Sequence, residues 1–384
     1  MGTSSPSNRY LIPQIRKDLE RKMVFVAGPR QVGKTTMALS LPGARDGYLS
    51  WDIAEHRERI LKRELPSTDL WVFDEIHKYR SWRDWLKGIY DARRADGAGG
   101  SDRAGRRILV TGSARLDFYR FSGDSLQGRY HLLRLLPLSV AELDLSTRGA
   151  LGDLLTLGGF PEPFFQGSET EARRWSREHR NLLIREEIVS LERIQDLGNL
   201  ELLALRLPEL VGSPLSLNAL REELQVSHKT VANWVSILER LYALVRLVPF
   251  GHPRIRAIKK STKHYQFDWS LVPDRAARFE NLVALHLLKW VYFKQDSEGL
   301  DLELRYFRDT DGREVDFVVT EDRKPVLLVE AKLSSESPDR NLRYLKERFP
   351  EAEAWQVVLE GTRDFVTPGG LRVIPALDYL RRLV

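Results

Sequence analysis

The chain has 384 residues, 42% of them hydrophobic, and its 60 Lys and Arg against 54 Asp and Glu give a formal net charge of +6. A chain of this length is expected to form two or three domains, and its mild basic excess permits a polyanionic partner without requiring one. It has no cysteine, which excludes disulfides and thiolate metal sites. Without a bilayer-spanning apolar stretch or the apolar core of a secretion signal, it is expected in the cytoplasm, with no membrane partner.

The first predicted elements are a strand, a loop and a helix. An apolar run, Val24 to Ala27, indicates a buried strand, and helical spacing follows from Thr36. Between them, GPRQVGKTT at 28–36 fits G-x-x-x-x-G-K-[ST], the loop that cradles nucleotide phosphates. We expect it to bind ATP rather than GTP. The predicted nucleotide-binding residues are Gly28, Pro29, Arg30, Gln31, Val32, Gly33, Lys34, Thr35 and Thr36.

The residue types of this loop fit the chemistry of a bound triphosphate. Gly28 and Gly33 permit backbone torsions that turn amide N–H groups towards phosphate oxygens. Lys34 is expected to reach the β- and γ-phosphates, and the Thr35 hydroxyl is expected to bind Mg²⁺. The sequence therefore predicts ATP and Mg²⁺ as the cofactors.

A second apolar run ends in two acids. Residues 70–73 predict a buried strand, and Asp74 and Glu75 follow directly. Buried carboxylates must be paired or bind a metal. Downstream of a phosphate loop, Asp74 is expected to hold Mg²⁺ through water, and Glu75 is expected to polarise the attacking water.

The next two strands supply further catalytic candidates. Residues 107–113 predict a strand that ends in hydroxyls: Thr111 or Ser113 orients the lytic water or senses the γ-phosphate, or the segment is an ordinary strand-end turn. Arg129 precedes a predicted strand at 130–136. It either stabilises transition-state charge on a neighbouring subunit's nucleotide or is a solvated arginine.

In this order, the motifs resemble those of AAA+ ATPases, in the prokaryotic, AAA_14-like branch whose phosphate loop reads GPRQVGKTT. The resemblance covers residues 10–145 and a short stretch beyond them. Its further matching residues are Glu75-Ile76-His77-Lys78, Trp82, Leu86, Gly128-Arg129, Pro137-Leu138-Ser139, Glu142 and Gly158 to Glu162. The resemblance implies a parallel sheet flanked by helices, a ring-like or stacked homo-oligomer, and Arg129 as an arginine finger.

The middle of the chain predicts a winged helix-turn-helix. A short helix opens at residues 215–220, and residues 228–241 form an amphipathic helix after a turn. Two β-rich runs follow at 244–250 and 254–258. Helix, turn, helix and hairpin is the order of elements in a winged helix.

A basic strip accompanies this module, because no Asp or Glu occurs between Arg240 and Phe267. The strip and the polar start of the second helix predict DNA contacts, more to the backbone than to base edges. The predicted DNA-binding residues are His228, Lys229, Thr230, Asn233, Arg254, Arg256, Lys259, Lys260 and Lys263. The alternative is a helical domain that packs against protein, with its charges solvated.

The C-terminal third predicts a second polar site. Two strands joined by a turn precede a third, which runs into Glu330-Ala331-Lys332. Asp316 and Glu330 are placed to share Mg²⁺, and Lys332 to steady the attacking water or the phosphate. Glu280, on a preceding helix, can complete the site.

This pattern resembles the PD-(D/E)xK nuclease superfamily, and residues 260–340 resemble the DUF4143-like domain that commonly follows this ATPase branch. The leading Pro-Asp pair of the superfamily is replaced by Val315-Asp316. The resemblance implies a restriction-endonuclease-like α/β fold. Two alternatives stay open, an active nuclease and a scaffold that binds DNA or a neighbouring subunit without cutting.

Together these features predict a multidomain α/β protein. Its parts are an AAA+ domain with a P-loop and a parallel sheet (1–165), a helical linker with a winged helix (166–260) and a nuclease-like domain (261–384). The preferred function is Mg²⁺–ATP-driven remodelling of, or translocation on, duplex or branched DNA. The alternative is an ATP-dependent regulatory switch that acts through protein–protein contacts.

Overall fold

The computed structural model describes residues 9–96, 107–113, 116, 126–188, 196–251 and 261–384. The chain divides into two compact units, Met1–Leu136 and Pro137–Val384. Residue 165, the predicted end of the ATPase domain, lies inside the second unit. No helix within the described ranges combines the length and the apolar character needed to cross a bilayer.

The first unit is built on a five-stranded parallel sheet with the order β2-β3-β4-β1-β5. The strands are β1 (Met23–Ala27), β2 (Tyr48–Ser50), β3 (Leu70–Asp74), β4 (Arg107–Thr111) and β5 (Tyr130–Arg134). Every residue of β1 and β3 is buried, as expected for parallel strands covered on both faces, which explains their unbroken apolar runs. The predicted parallel sheet is confirmed.

Helices pack on this sheet and leave its carboxyl edge for polar residues. They are α1 (Ile12–Leu19), α2 (Lys34–Leu39), α3 (Ala54–Lys62) and α4 (Trp82–Asp96). Trp85 of α4 packs edge-on against Phe73 of β3, with ring centroids 5.1 Å apart. The register sets Thr111 opposite both Val26 and Asp74, so the phosphate loop after β1 lies beside the ends of β3 and β4.

The second unit begins with a run of helices and a two-stranded hairpin. The helices are α5 (Arg148–Leu157), α6 (Pro161–Gln166), α7 (Glu169–Leu182), α8 (Leu197–Arg206), α9 (Leu217–Glu223) and α10 (His228–Arg240). The Ser216 and Ser227 side chains cap α9 and α10 by accepting backbone N–H groups. The hairpin pairs β6 (Leu244–Leu247) with β7 (Lys263–Gln266), and the predicted run 254–258 lies outside the described residues.

A mixed six-stranded sheet completes the second unit, in the order β12-β13-β11-β10-β9-β8. Its strands are β8 (Leu302–Arg308), β9 (Glu314–Glu321), β10 (Lys324–Lys332), β11 (Glu353–Val358), β12 (Phe365–Val366) and β13 (Leu371–Pro375). The helices are α11 (Arg275–Glu298), α12 (Arg340–Arg348) and α13 (Ala376–Leu380). Strands β8, β9 and β10 form an antiparallel meander, whereas β10, β11 and β13 run parallel. Because β10 continues to Lys332, Glu330 and Lys332 share one face of the strand, beside Asp316 of β9.

Candidate functional site

The loop between β1 and α2 encloses the side chain of its own lysine. Gly33 precedes α2 in a left-handed conformation, with a φ of 93°, and Lys34 is the first helical residue. The buried Lys34 Nζ donates to the backbone oxygens of Gly28 at 3.0 Å and Pro29 at 2.6 Å. The ammonium can exchange these carbonyl oxygens for phosphate oxygens.

Gly28 is required by its surroundings. Its φ is 151°, and a Cβ built on it would lie 2.1 Å from the backbone oxygen of Leu135. The Leu135 N–H donates to Ala27 O at 2.8 Å, so this backbone cannot move away without breaking the pairing of β1 with β5. Of the other predicted loop residues, Gln31 and Thr36 are exposed, Arg30 and Thr35 are half-buried, and Pro29 and Val32 are buried.

The Asp74 carboxylate accepts hydrogen bonds from three hydroxyl groups at the end of β3. Thr35 Oγ1 and Tyr48 OH each donate to its Oδ2 at 2.9 Å, and Thr111 Oγ1 donates to its Oδ1 at 2.5 Å. Burial, and then the Asp74 charge, raise the pKa of Tyr48, so this hydroxyl keeps its proton and remains a donor. Thr111 is fully buried and orients the carboxylate. The two predicted Mg²⁺ ligands, Thr35 and Asp74, are therefore one hydrogen bond apart.

Glu75 adopts a left-handed backbone conformation immediately after β3, with φ 55° and ψ 20°. Its N–H donates to Thr111 O at 2.8 Å, and its Oε2 lies 3.5 Å from His77 Nε2 and 3.4 Å from Lys78 Nζ. Strained backbone of this kind is concentrated at functional sites. Burial raises the pKa of Glu75, although Lys78 and Lys34 oppose the shift. A partly buried carboxylate with a raised pKa is suited to accept a proton from water.

Ser113 lies two residues beyond Thr111, at the same sheet edge. It is buried, and its Oγ has no hydrogen-bond partner among the residues that the structure describes. An unsatisfied buried hydroxyl is destabilising, which favours a ligand that bonds it. The adjacent Gly112 makes room for His77, whose Nδ1 would lie 2.7 Å from a Cβ built there. These residues fit a Mg²⁺–nucleotide at the end of β4.

Two residues that no motif marked connect the phosphate loop to the end of β5. The guanidinium of Arg9 donates to Val32 O at 2.8 Å and to Leu136 O at 2.5 Å. Tyr10 OH donates to Arg134 O and accepts from the Leu136 N–H at 3.3 Å. No sequence motif marks Arg9 or Tyr10, because their partners lie far along the chain.

Arg129, the predicted arginine finger, forms a two-point ion pair within its own unit. Its Nε lies 2.9 Å from Asp91 Oδ1 and its Nη2 lies 3.1 Å from Asp91 Oδ2. Asp91 belongs to α4. The Arg129 side chain is 30% exposed and the Asp91 side chain is 43% exposed. The pair fixes the orientation of a guanidinium that solvent, and hence another molecule, can reach.

The two C-terminal carboxylates predicted to share a metal lie beside each other. The Asp316 N–H donates to Glu330 Oε2 at 3.1 Å, and the Ala331 N–H donates to Asp316 Oδ2 at 3.0 Å. Lys332 Nζ lies 2.7 Å from Glu330 Oε1 and 3.1 Å from Asp339 Oδ2. Asp316, Glu330 and Lys332 thus come together, each already bonded within the domain.

Lys263, one of the predicted DNA contacts, is buried in the second unit and not exposed on its surface. Its side chain is 1% exposed, and its Nζ lies 3.0 Å from Glu280 Oε1, 2.5 Å from Glu314 Oε1 and 3.6 Å from Asp316 Oδ1. Tyr265 OH donates to the same Glu280 oxygen at 2.7 Å. A buried ammonium held by three carboxylates cannot reach a phosphate backbone, so the prediction that Lys263 contacts DNA is wrong. Instead Lys263 ties Glu280 to the C-terminal cluster.

With the ammonium groups of Lys263 and Lys332 in place, this cluster does not fit a metal ion. Burial, followed by the Asp316 charge, raises the pKa of Glu280 and of Glu330, and burial raises that of Asp316. Within the described ranges, no group of three or more His, Cys, Asp or Glu side chains is arranged to hold a metal ion. The carboxylates are arranged around Lys263 and Lys332 instead.

The start of α10 presents polar side chains to solvent. His228, Lys229 and Asn233 are exposed and Thr230 is half-buried, while the opposite face of the helix is buried. That these side chains contact DNA stays a prediction. The other predicted contacts, Arg254, Arg256, Lys259 and Lys260, lie outside the described residues.

A cleft of about 190 Å³ in the second unit is lined by arginines from two helices. Arg173, Arg177 and Arg180 come from α7 and Arg278 from α11, and Glu169 also lines it. Burial, and then the charge of Arg177, lower the pKa of Arg180, and burial lowers that of Arg278. Crowded, partly desolvated positive charges favour an anion. The sequence of α7 indicates no function, because arginines alternate with glutamates along it.

Three family models match successive parts of the chain, and the last two overlap at residues 276–281. A model of an AAA domain (AAA_14) matches residues 20–144, a domain of unknown function (DUF8612) matches 148–281, and another (DUF4143) matches 276–379. The chain joins an AAA-type ATPase domain to a C-terminal DUF4143 domain. The ATPase domain contains the phosphate loop, Asp74, Glu75 and Arg129. A nuclease-like character of the DUF4143 domain stays a prediction.

Two solved structures resemble the chain weakly. One, of two coordinating Pif1 helicases at forked double-stranded DNA, has 14% identity and a TM-score of 0.22, over 42% of this chain and 50% of that chain. The other, Bacteroides Pif1 bound to single-stranded DNA, has 14% identity and a TM-score of 0.21, over 79% and 73%. The chain spans half of the first structure's length, and likenesses this low support no inference about activity. No curated protein matches the chain.

Proposed function

We propose that this chain is a cytoplasmic, Mg²⁺-dependent ATPase that binds duplex or branched DNA and couples hydrolysis to remodelling it or moving along it. One observation carries the ATPase part of the proposal. A single carboxylate, Asp74, binds the hydroxyls of Thr35 and Thr111 beside the buried Lys34 ammonium. This pairing of a loop hydroxyl with a strand-end acid is what a Mg²⁺–nucleotide site requires.

The residues at the sheet edge divide the chemistry among them. Lys34 and the loop amides bind the β- and γ-phosphates, and Thr35 and Asp74 would hold Mg²⁺, which neutralises charge on the phosphate oxygens. Glu75 takes a proton from the attacking water, and Ser113 donates its unsatisfied hydroxyl to the terminal phosphate.

DNA binding is proposed for the second unit. Capped helices α9 and α10 followed by the β6–β7 hairpin support a winged helix, with His228, Lys229 and Asn233 exposed at the start of α10. The arginine-lined cleft beside α7 adds a second anion-binding surface. Few side chains on either surface are suited to contact base edges, so we expect contacts mainly to the DNA backbone.

Assembly as a homo-oligomer, with a ring as one form, is part of the same proposal. Arg129 is oriented by Asp91 and partly exposed, which suits a guanidinium that reaches the nucleotide of a neighbouring copy. An arginine supplied in trans stabilises charge that develops during phosphoryl transfer.

For the C-terminal domain we favour a scaffold over a nuclease. Asp316, Glu330 and Lys332 are adjacent, as a nuclease-like site requires, but Lys263 fills the space between Asp316 and Glu280. A cleavage assay on duplex and forked DNA with Mg²⁺ or Mn²⁺ decides between the two. Product lost in Asp316→Asn but kept in Lys34→Ala would establish a nuclease.

One observation supports the second candidate, a regulatory switch that works through protein contacts. Leu202 and Leu205, three residues apart on α8, are 53% and 48% exposed. Neighbouring exposed leucines on one helix face are typical of a protein-binding surface. If α8 binds a protein partner and the chain does not act on DNA, the rate of ATP hydrolysis should not change when DNA is added.

Phosphate release from ATP, measured with and without forked duplex DNA, tests the proposal. Wild type should hydrolyse ATP, and DNA should accelerate the hydrolysis. Lys34→Ala should release no phosphate with or without DNA. DNA retention should weaken steeply with salt, because phosphate contacts release counterions. Hydrolysis without any DNA effect leaves the switch as the better function, and absence of nucleotide binding removes both.

A further inference from the structure

The ammonium group of Lys263 lies at the centre of the C-terminal carboxylate cluster. Its three neighbours come from two other elements, Glu280 from α11 and Glu314 and Asp316 from β9. Carboxylate oxygens are the ligands that hard divalent cations take. A lysine therefore occupies the space that these oxygens would offer to a metal ion.

The fold holds Lys263 in this place. In the β6–β7 hairpin Lys263 pairs with Leu247, and an isolated bridge joins it to Pro214. The Nζ also lies 5.7 Å from the centre of the Tyr306 ring, which adds a cation–π contact. With no exposed surface on the residue, the side chain cannot turn to solvent without opening the hairpin.

A divalent cation at this cluster would have to share the carboxylate oxygens with two ammonium groups. Lys263 Nζ lies 3.6 Å from Asp316 Oδ1, and Lys332 Nζ lies 2.7 Å from Glu330 Oε1. A divalent ion on the Asp316 oxygens would lie close to the Lys263 ammonium in a poorly solvated site, where like charges repel strongly. Lysine and metal therefore compete for the same oxygens.

We propose that Lys263 is the resident cation of this cluster and excludes divalent metal ions from it. Glu280, Glu314 and Asp316 become a divalent-cation site only when the ammonium is removed. An ion-pair cluster thus lies where the nuclease resemblance implies a metal centre, with Asp316 inside the DUF4143 match and Lys263 before it. This inference stands independently of ATP hydrolysis by the first unit.

Mn²⁺ binding to the nucleotide-free full chain, followed by electron paramagnetic resonance, is the first test. Wild type and Asp316→Asn should bind Mn²⁺ identically. Any Mn²⁺ site in the wild-type chain, such as one at the phosphate loop, should lie outside the Asp316 cluster and be unaffected by this substitution. A saturable Mn²⁺ site in wild type that Asp316→Asn removes would overturn the proposal. This comparison needs no Lys263 variant.

Lys263→Met is the second test, with the exposed Lys324→Met as the matched loss of one charge. Lys263→Met should gain one Mn²⁺ site per chain, at least tenfold tighter than any in wild type, and adding Asp316→Asn should abolish it. Mn²⁺ should also raise its melting temperature but not that of Lys324→Met, because a ligand stabilises the state that binds it. A folded Lys263→Met that gains no site would contradict the proposal. If it does not fold with or without Mn²⁺, the wild-type comparison decides.

Discussion

The backbone of Glu75 is strained at the point where its carboxylate is needed. Its left-handed conformation directs the chain from β3 into the next turn, while its N–H stays bonded to Thr111. We predict that Glu75→Gln binds ATP normally but loses hydrolysis by about 10²–10⁴-fold, the usual contribution of a general base. Nucleotide binding by fluorescence and phosphate release in a single turnover measure the two effects separately. Wild-type turnover in this variant would assign the base elsewhere.

The environment of Glu75 also sets a pH dependence. A general base works only when deprotonated, and burial raises the pKa of Glu75 above the usual value of about 4.3. Turnover should therefore fall as the pH drops through a value higher than that of an exposed glutamate. A profile of kcat between pH 4.5 and 8, checked for stability at each pH, measures this limb. A rate that stays constant to the acid end of the range argues against a proton transfer to Glu75.

Arg129 can act as a finger or merely as half of a surface ion pair, and its partner separates the two roles. If it is a finger, Arg129→Ala should lower kcat by about 10³-fold or more, whereas Asp91→Asn should keep most activity because the guanidinium remains. If the pair is only structural, the two variants should behave alike. Mixing Arg129→Ala with Glu75→Gln adds a further test, since activity regained in mixed oligomers would require an arginine acting across subunits.

Sequence predicts a residue's role well when its partners are local. The phosphate loop is contiguous, so Lys34 and Thr35 were assignable from nine letters. Lys263 belongs to an acid-free strip and looks unpaired, yet its carboxylates come from elements later in the chain. Tyr48 escaped notice for the same reason, because only the β2–β3 register brings it to Asp74.

At the scale of elements, the proposed DNA contact of the second unit depends on α10. We predict that Lys229→Ala weakens binding about equally for all duplex sequences and reduces the salt slope by about 1, as expected for one lost phosphate contact. Lys62→Ala, which removes another exposed lysine, on α3 of the first unit, is the control and should change neither quantity. Fluorescence anisotropy at several salt concentrations measures both quantities. An unchanged slope would remove α10 from the interface.

Elements followed from sequence where apolar periodicity marked them. Helix α10 was predictable because Val231, Trp234, Val235 and Leu238 recur at helical spacing behind a serine cap. Strand β7 was not, because its residues, Lys-His-Tyr-Gln, lack the alternation that marks a half-buried strand. All four are buried, and His264 bonds Leu207 while Lys263 joins the ion-pair cluster. Polar residues that are buried by contacts with distant parts of the chain resemble a surface loop in the sequence.

For the whole molecule, a DNA-coupled ATPase must obey thermodynamic linkage between its two ligands. If DNA raises the affinity for ATP by some factor, ATP must raise the affinity for DNA by the same factor. We predict a factor of about 5–150, the usual range of such coupling, in Glu75→Gln, where both ligands persist without turnover. Titrating ATP with and without saturating forked DNA, and DNA with and without saturating ATP, gives the factor twice. Adding Lys229→Ala should weaken DNA binding but leave the coupling factor unchanged. A phosphate contact that forms both with and without bound ATP contributes equally to the DNA affinity of the two states. A factor of one would mean that nucleotide and DNA sites ignore each other, and ATP would then control something other than DNA.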